Sequence, residues 1–292
     1  MNTKPNFFVV AGGRSGNVSM YNYFGEHPEV YMTEARAPGA FGIYKNSFSK
    51  KFNTPDKKAY LKLFKGTENF KIRGEISHYF YDEQAMKEIK EFNSDAKILI
   101  VIRNPIDLIN SHYSNVTDLH TIGGDTIIKC LQTLSNHYQG ILLRENLRYA
   151  HYIKLWQKVF GKKQVYIVIF NDLMHNLPRE YSKICKWLGI DDKFQSKFVK
   201  YNPARWRRDE KKRQFVIRNV NRLSISLRIF LKKKLPKRFQ ENITKKLNAY
   251  FTIKEGTSKM DEKTKQYILR KYEPEIKALE KLLNKDLSKW RK

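Results

Sequence analysis

The sequence predicts an α/β fold in which a parallel sheet carries helices on both faces. Three observations predict it. Apolar runs of strand length recur at Asn6–Ala11 (NFFVVA), Lys97–Ile102 (KILIVI) and Gln164–Phe170 (QVYIVIF), and near-continuous hydrophobicity of this kind marks strands buried on both faces. Helix signals fall between the runs, which implies right-handed crossover units. No internal repeat and no Pro/Gly/Ser-rich linker divides the 292 residues, so they read as one domain.

The elements follow in order. Asn6–Ala11 ends in Gly12-Gly13, a strand running into a tight turn. Ser19–Gly25 reads as a helix stopped by His27-Pro28, and Glu29–Met32 as a short strand. Asn69–Arg73 reads as another strand. Lys97–Ile102 is the clearest strand, and Pro105 just beyond it suits the first turn of a helix. Gln164–Phe170 precedes a helix over Arg179–Leu188. Met260–Leu283 is a long helix that Asp261 is placed to cap.

Composition bounds the function. The 57 Lys+Arg against 29 Asp+Glu give a net charge of +28, which attracts polyanions such as sulfated sugars, anionic lipid or phosphorylated cofactors. Arg205 to Lys246 alone holds sixteen Lys/Arg against three Asp/Glu. Apolar and basic residues mix there, and the stretch reads as an amphipathic, mostly helical insertion over about 205–252. It fits an anionic membrane surface, an acidic ligand or plain solubility. No nucleic-acid-binding pattern stands out, so specific nucleic-acid binding is not expected. Cys130 and Cys185 lack the spacing of a metal or redox pair and read as buried small hydrophobes. No apolar run approaches the ~18 residues of a membrane span, and the N-terminal run is too short for a signal peptide. A cytoplasmic location is therefore expected.

Ligands of open α/β sheets sit beyond the carboxyl ends of the strands, and two strand ends carry chemistry. The first reads Gly12-Gly13-Arg14-Ser15-Gly16-Asn17-Val18-Ser19. Its glycines let backbone N–H groups close on an anion at a helix N-terminus. A Walker A loop needs Lys and then Ser/Thr after Gly16, whereas this chain has Asn17 and Val18, so a magnesium-dependent kinase is disfavoured. The second reads Arg103-Asn104-Pro105 with Ser111 eight residues after Arg103. A guanidinium grips phosphate in a fork, and a helix hydroxyl adds a donor.

Together, NFFVVAGGRSGNVSMYNYFGEHPEVYM and KILIVIRNPIDLINSHY resemble the sulfotransferases that use 3′-phosphoadenosine 5′-phosphosulfate (PAPS). That family's first loop commonly reads (K/R)-S-G-T-T-S-L, and its 3′-phosphate site is an Arg followed by Ser eight residues later. Segments ending in Trp187-Leu188-Gly189-Ile190 and Asp286-Leu287-Ser288-Lys289-Trp290 extend the likeness to nearly the whole chain. The resemblance implies a three-layer, P-loop-like fold with a central parallel sheet flanked by helices, and places Trp156, Trp187 and Trp290 in the core. It implies sulfuryl transfer without a metal to a hydroxyl or amine of a carbohydrate or similar acceptor. Gly13, Arg14, Ser15, Gly16, Asn17, Val18 and Ser19 would wrap the 5′-phosphosulfate, with Arg14 stabilising the bridging oxygen. Arg103 and Ser111 would hold the 3′-phosphate.

The chain departs from the pattern where many members carry K-E-P-H-F-F, whose Glu can be the base. It reads Arg36-Ala37-Pro38-Gly39-Ala40-Phe41, and Ala37 cannot accept a proton. Replacement bases rank Glu75 first, expected just past its strand, then His78, then Glu34. Within RGEISHYFYD, Ile76 stands where a Lys is frequent. These departures leave a second expectation open: a weakened homologue that binds the desulfated nucleotide (PAP) or an anionic glycan without efficient turnover.

Overall fold

The structure, a computed structural model, describes residues 3–34, 38–42, 57–115, 127–133, 143–199, 205–207, 252–255 and 260–291. Five strands, β1 (Phe7–Ala11), β2 (Val30–Met32), β3 (Ile72–Ser77), β4 (Lys97–Ile102) and β5 (Val165–Ile169), form one sheet in the order β2-β3-β1-β4-β5. Every neighbouring pair is parallel, so all five carboxyl ends open at one edge.

The three predicted apolar runs are the sheet's strands β1, β4 and β5. Every residue of β1 is buried, because helices cover both faces. On one face, α1 (Asn17–Gly25), α7 (Phe170–His175) and α8 (Leu177–Leu188) bury Met20, Phe24, Leu173, Tyr181 and Ile184 against Phe7, Val9 and Leu99. On the other, α3 (Glu83–Phe92), α4 (Pro105–Asn115), α6 (Tyr149–Phe160) and α9 (Glu262–Leu283) pack on Phe8, Val10, Ile98 and Ile100. Two short helices, α2 (Lys57–Lys62) and α5 (Ile127–Thr133), join this second layer. The result is the predicted three-layer sandwich.

Trp156 is fully buried and donates its indole N–H to the carbonyl of Phe80 at 3.0 Å. Trp290 is buried too, and its carbonyl accepts from Asn104 Nδ2 at 3.4 Å, which ties the C-terminal turn to the second loop. Trp187 is only half-buried; it roofs Lys97, whose ammonium donates to the Trp187 and Leu188 carbonyls at 2.7 and 2.9 Å. That cation at the foot of β4 satisfies the orphan carbonyls ending α8. Cys185 is buried and free; the Cys130 side chain lies outside the described residues.

One strand boundary departs from expectation. The third strand spans Ile72–Ser77 rather than Asn69–Arg73, so Glu75 sits inside it, paired with Phe8. The alternation that marks a half-buried strand is broken there because Glu75 and Ser77 lie on a buried face. In the basic stretch, the ends Arg205–Arg207 (β6) and Thr252–Glu255 (β7) pair as an antiparallel ribbon. Residues 208–251, on which the helical expectation falls, lie outside the described residues, as does Ala37. Among the described residues no helix is long and apolar enough to cross a membrane.

Asp261 caps α9 as expected, its carboxylate accepting from the Thr264 N–H at 2.9 Å and the Thr264 hydroxyl at 2.7 Å. Replacing Asp261 with Ala should cost about 1 kcal/mol. The check is a lower urea midpoint with an unchanged slope.

Candidate active site

The loop after β1 and the loop after β4 meet at the open edge of the sheet. Gly16 adopts φ 82°, and a side chain there would strike the Phe170 ring, with Cε2 only 2.4 Å from an added Cβ. Gly12 is as tightly confined by Asn146, whose Oδ1 would lie 2.6 Å from a Cβ. Between these glycines Arg14 takes a left-handed φ of 67°, a conformation that costs a residue with a Cβ on the order of 1 kcal/mol. Its guanidinium lies across the gap, and Nε donates to Ser111 Oγ at 3.0 Å.

Arg103 returns the contact. Its Nη1 donates to the main-chain carbonyl of Arg14 at 2.8 Å, and its guanidinium stacks over Phe170 at 4.9 Å. The Tyr149 hydroxyl fixes the Arg103 backbone, donating to its carbonyl at 2.9 Å and accepting from its N–H at 3.3 Å. Asn104 caps α4 through the Ile106 N–H at 2.9 Å, so Ser111 is carried on a helix that starts where Arg103 ends.

The electrostatics are one-sided. Burial first, then the nearby Arg103 charge, holds the Arg14 guanidinium below its usual pKa. Burial does the same to Arg103, partly offset by Asp107. Ser15 Oγ, Asn17 Oδ1, Arg103 Nε, His112 Nε2 and Asn146 Oδ1 are all shut off from solvent without a hydrogen-bond partner. Clustered orphans of this kind cost free energy unless a ligand completes them. Two guanidiniums, a helix N-terminus and buried hydroxyls form a cradle for a multiply charged anion, so the residues present fit a phosphate-bearing nucleotide.

The structure brings Gly13, Arg14, Ser15, Gly16, Asn17, Arg103 and Ser111 together. Val18 and Ser19 belong to the first turn of α1. His78 follows β3 at the same edge, its ring close enough to the Ala11 backbone for that contact to oppose the lowering of its pKa by burial. Glu34 is exposed just past β2. Glu75 points into the second helical layer, with no solvent exposure, beside Tyr60, Tyr79 and Ser77. Those hydroxyls lie near enough to lower its pKa, yet neither carboxylate oxygen completes a regular hydrogen bond. Desolvation outweighs them and pushes the carboxyl up to about 7. Sequence reasoning missed His112, Asn146, Tyr149 and Phe170. Only His112 had a signal, its place beside Ser111; Tyr149 reaches the site from α6, Asn146 from the segment before it and Phe170 from the start of α7. Among the described residues no group of His, Cys, Asp and Glu is arranged to hold a metal.

An open-edged α/β domain of this kind has known counterparts. The sulfotransferase domain model matches residues 18–266. A sulfotransferase from Alicyclobacillus acidocaldarius superposes with a TM-score of 0.71, at 21% identity, over 99% of this chain and 99% of that one. Bifunctional heparan sulfate N-deacetylase/N-sulfotransferase 1 of Caenorhabditis elegans is 20% identical over 206 residues. Its Caenorhabditis briggsae counterpart is 18% identical over 212. Each match takes in 69% of this chain, which spans about a quarter (24%) of the length of these curated relatives. The chain belongs to the sulfotransferase domain family.

Glu75 gives a stability test. Its pKa is raised on folding from an ordinary carboxylate value to about 7. The folded state thus keeps full stability below the unfolded pKa and loses it as pH rises through about 7. Glu75→Gln escapes that loss. The difference in unfolding free energy between variant and parent should grow in the variant's favour from pH 4.5 to pH 8, by roughly 3 kcal/mol. Urea melts across that range measure it.

Proposed function

We propose that this chain transfers a sulfuryl group from PAPS to a hydroxyl or amine of a carbohydrate acceptor. The observation that carries the reading is the pairing of Arg14 and Arg103 across the gap, two cations with buried, unsatisfied neighbours. The glycan part draws on the heparan sulfate relatives and on the net charge of +28. When bound, PAPS supplies the sulfuryl group and a phosphate leaving group.

The residues then have distinct tasks. Backbone N–H groups of Gly13–Ser19 enclose the 5′ phosphosulfate, and the Ser15 hydroxyl gains the partner it lacks. Arg103 and Ser111 hold the 3′-phosphate. Arg14, bonded to Ser111 Oγ, joins the two ends and offsets charge as the bridging oxygen becomes anionic. His78 takes the acceptor proton. Burial lowers its pKa, so it stands neutral and ready to accept at pH 7. We prefer it to Glu75, whose carboxyl is enclosed on the sheet face.

The deciding experiment is acceptor-dependent conversion of PAPS to PAP across a glycan panel that includes N-desulfated heparin and chitooligosaccharides. PAP binding with no turnover on any acceptor would favour the weakened homologue instead, a reading that Ala37 in the usual Glu position motivates.

Two variants test the assignments. Arg103→Ala should weaken PAP binding by about 1.5–3 kcal/mol in calorimetry, through loss of a charge-assisted pair. Unchanged affinity would remove Arg103 from the phosphate. Arg14→Ala should lower kcat more than it raises KM for PAPS. Normal kcat with a poorer KM would make Arg14 a binding residue only.

A further inference from the structure

His112 follows Ser111 on α4 and has no part in the roles given above. Its Nε2 is closed off from solvent and has no hydrogen-bond partner. The ring lies against Gly13, the residue just before Arg14; a Cβ added to Gly13 would stand 3.3 Å from both Cε1 and Nε2. Gly13 thus leaves the space the imidazole fills. Arg14, Arg103 and His78 all act on the ring electrostatically, so it is near both the loop and the imidazole proposed as base.

We infer that His112 is a further residue of the transfer site, offering Nε2 as an uncharged hydrogen-bond donor to an oxygen of the transferring sulfuryl group. This rests on the donor proposed above.

The chemistry separates His112 from its neighbours. Burial first, then the Arg14 charge, lowers its pKa to about 4, against a smaller opposing effect of the Gly13 backbone. At neutral pH it carries no charge, so it is a poor proton acceptor and does not compete with His78. A neutral donor also favours a spread-out anion without holding the product by charge. Its contact with Gly13 sets it apart from the Ser111 hydroxyl, which accepts from Arg14 Nε.

PAP and PAPS differ only in the sulfuryl group, and so they read out this role without a known acceptor. His112→Phe keeps a flat ring and removes both nitrogens. It should weaken PAPS binding about tenfold in calorimetry while PAP affinity stays within about twofold. The slow acceptor-free hydrolysis of PAPS should fall in the same samples. His112→Gln, which restores an N–H donor, should recover part of the loss. Equal losses for PAP and PAPS would place the ring on the nucleotide or give it a merely structural task, and unchanged PAPS affinity would remove it from the site; either result overturns the inference. If the Phe variant does not fold, His112→Leu and His112→Ala, which also remove both nitrogens, carry the same comparison. A parent protein that binds neither nucleotide would instead overturn the donor reading itself, and the two failures are told apart by which protein shows them.

Discussion

Arg103 reaches back from the end of β4 to bond the main-chain carbonyl of Arg14, at the end of β1. That hydrogen bond joins two loops 89 positions apart in the chain, and it does so with a cation. Parallel pairing of β1 with β4 sets the two strand ends side by side, and Tyr149 holds the Arg103 backbone in place. Arg14 can then lie across to Ser111. Two guanidiniums this close repel unless something negative is shared between them, so the geometry is that of a receptor prepared for an anion.

The same crowding governs the imidazoles. His78 and His112 stand within the field of these cations or in buried surroundings, and both are shifted toward the neutral form. One consequence is a contrast at a single sheet edge: permanent charge on the arginines, neutral nitrogen on the histidines. Glu75 is driven to its neutral form as well, by a raised rather than a lowered pKa. Desolvation on the apolar face of the sheet favours its protonated form, which suits a core position better than a role at the open edge.

Much of this was legible in the residues. Continuous apolar runs such as KILIVI have few structural alternatives to a buried strand, and Asp261 and Pro105 announced their helices through side-chain chemistry alone. The meeting of two charged strand-end loops was legible because backbone demands fix glycine and the strand ends carry arginine at short spacing. Glu75 was misplaced for a physical reason: a carboxylate inside a strand contradicts the pattern of apolar burial, so local reading ends the strand before it. Phe170, Asn146 and Tyr149 were hidden because their relevance depends on which elements the sheet brings together. No local pattern shows that Phe170 will cover Gly16 and stack on Arg103.

The left-handed backbone at Arg14 has a consequence for how this protein can change. Glycine would adopt φ 67° with no steric penalty, so the loop would relax if the side chain were given up. Arginine there sets thermal robustness against side-chain chemistry at one residue. Selection for heat tolerance alone would drift toward the smaller residue, while selection for ligand capture would hold the strained one. In that sense the position is a gauge of which pressure has shaped the chain, and any programme of stabilisation should leave it fixed.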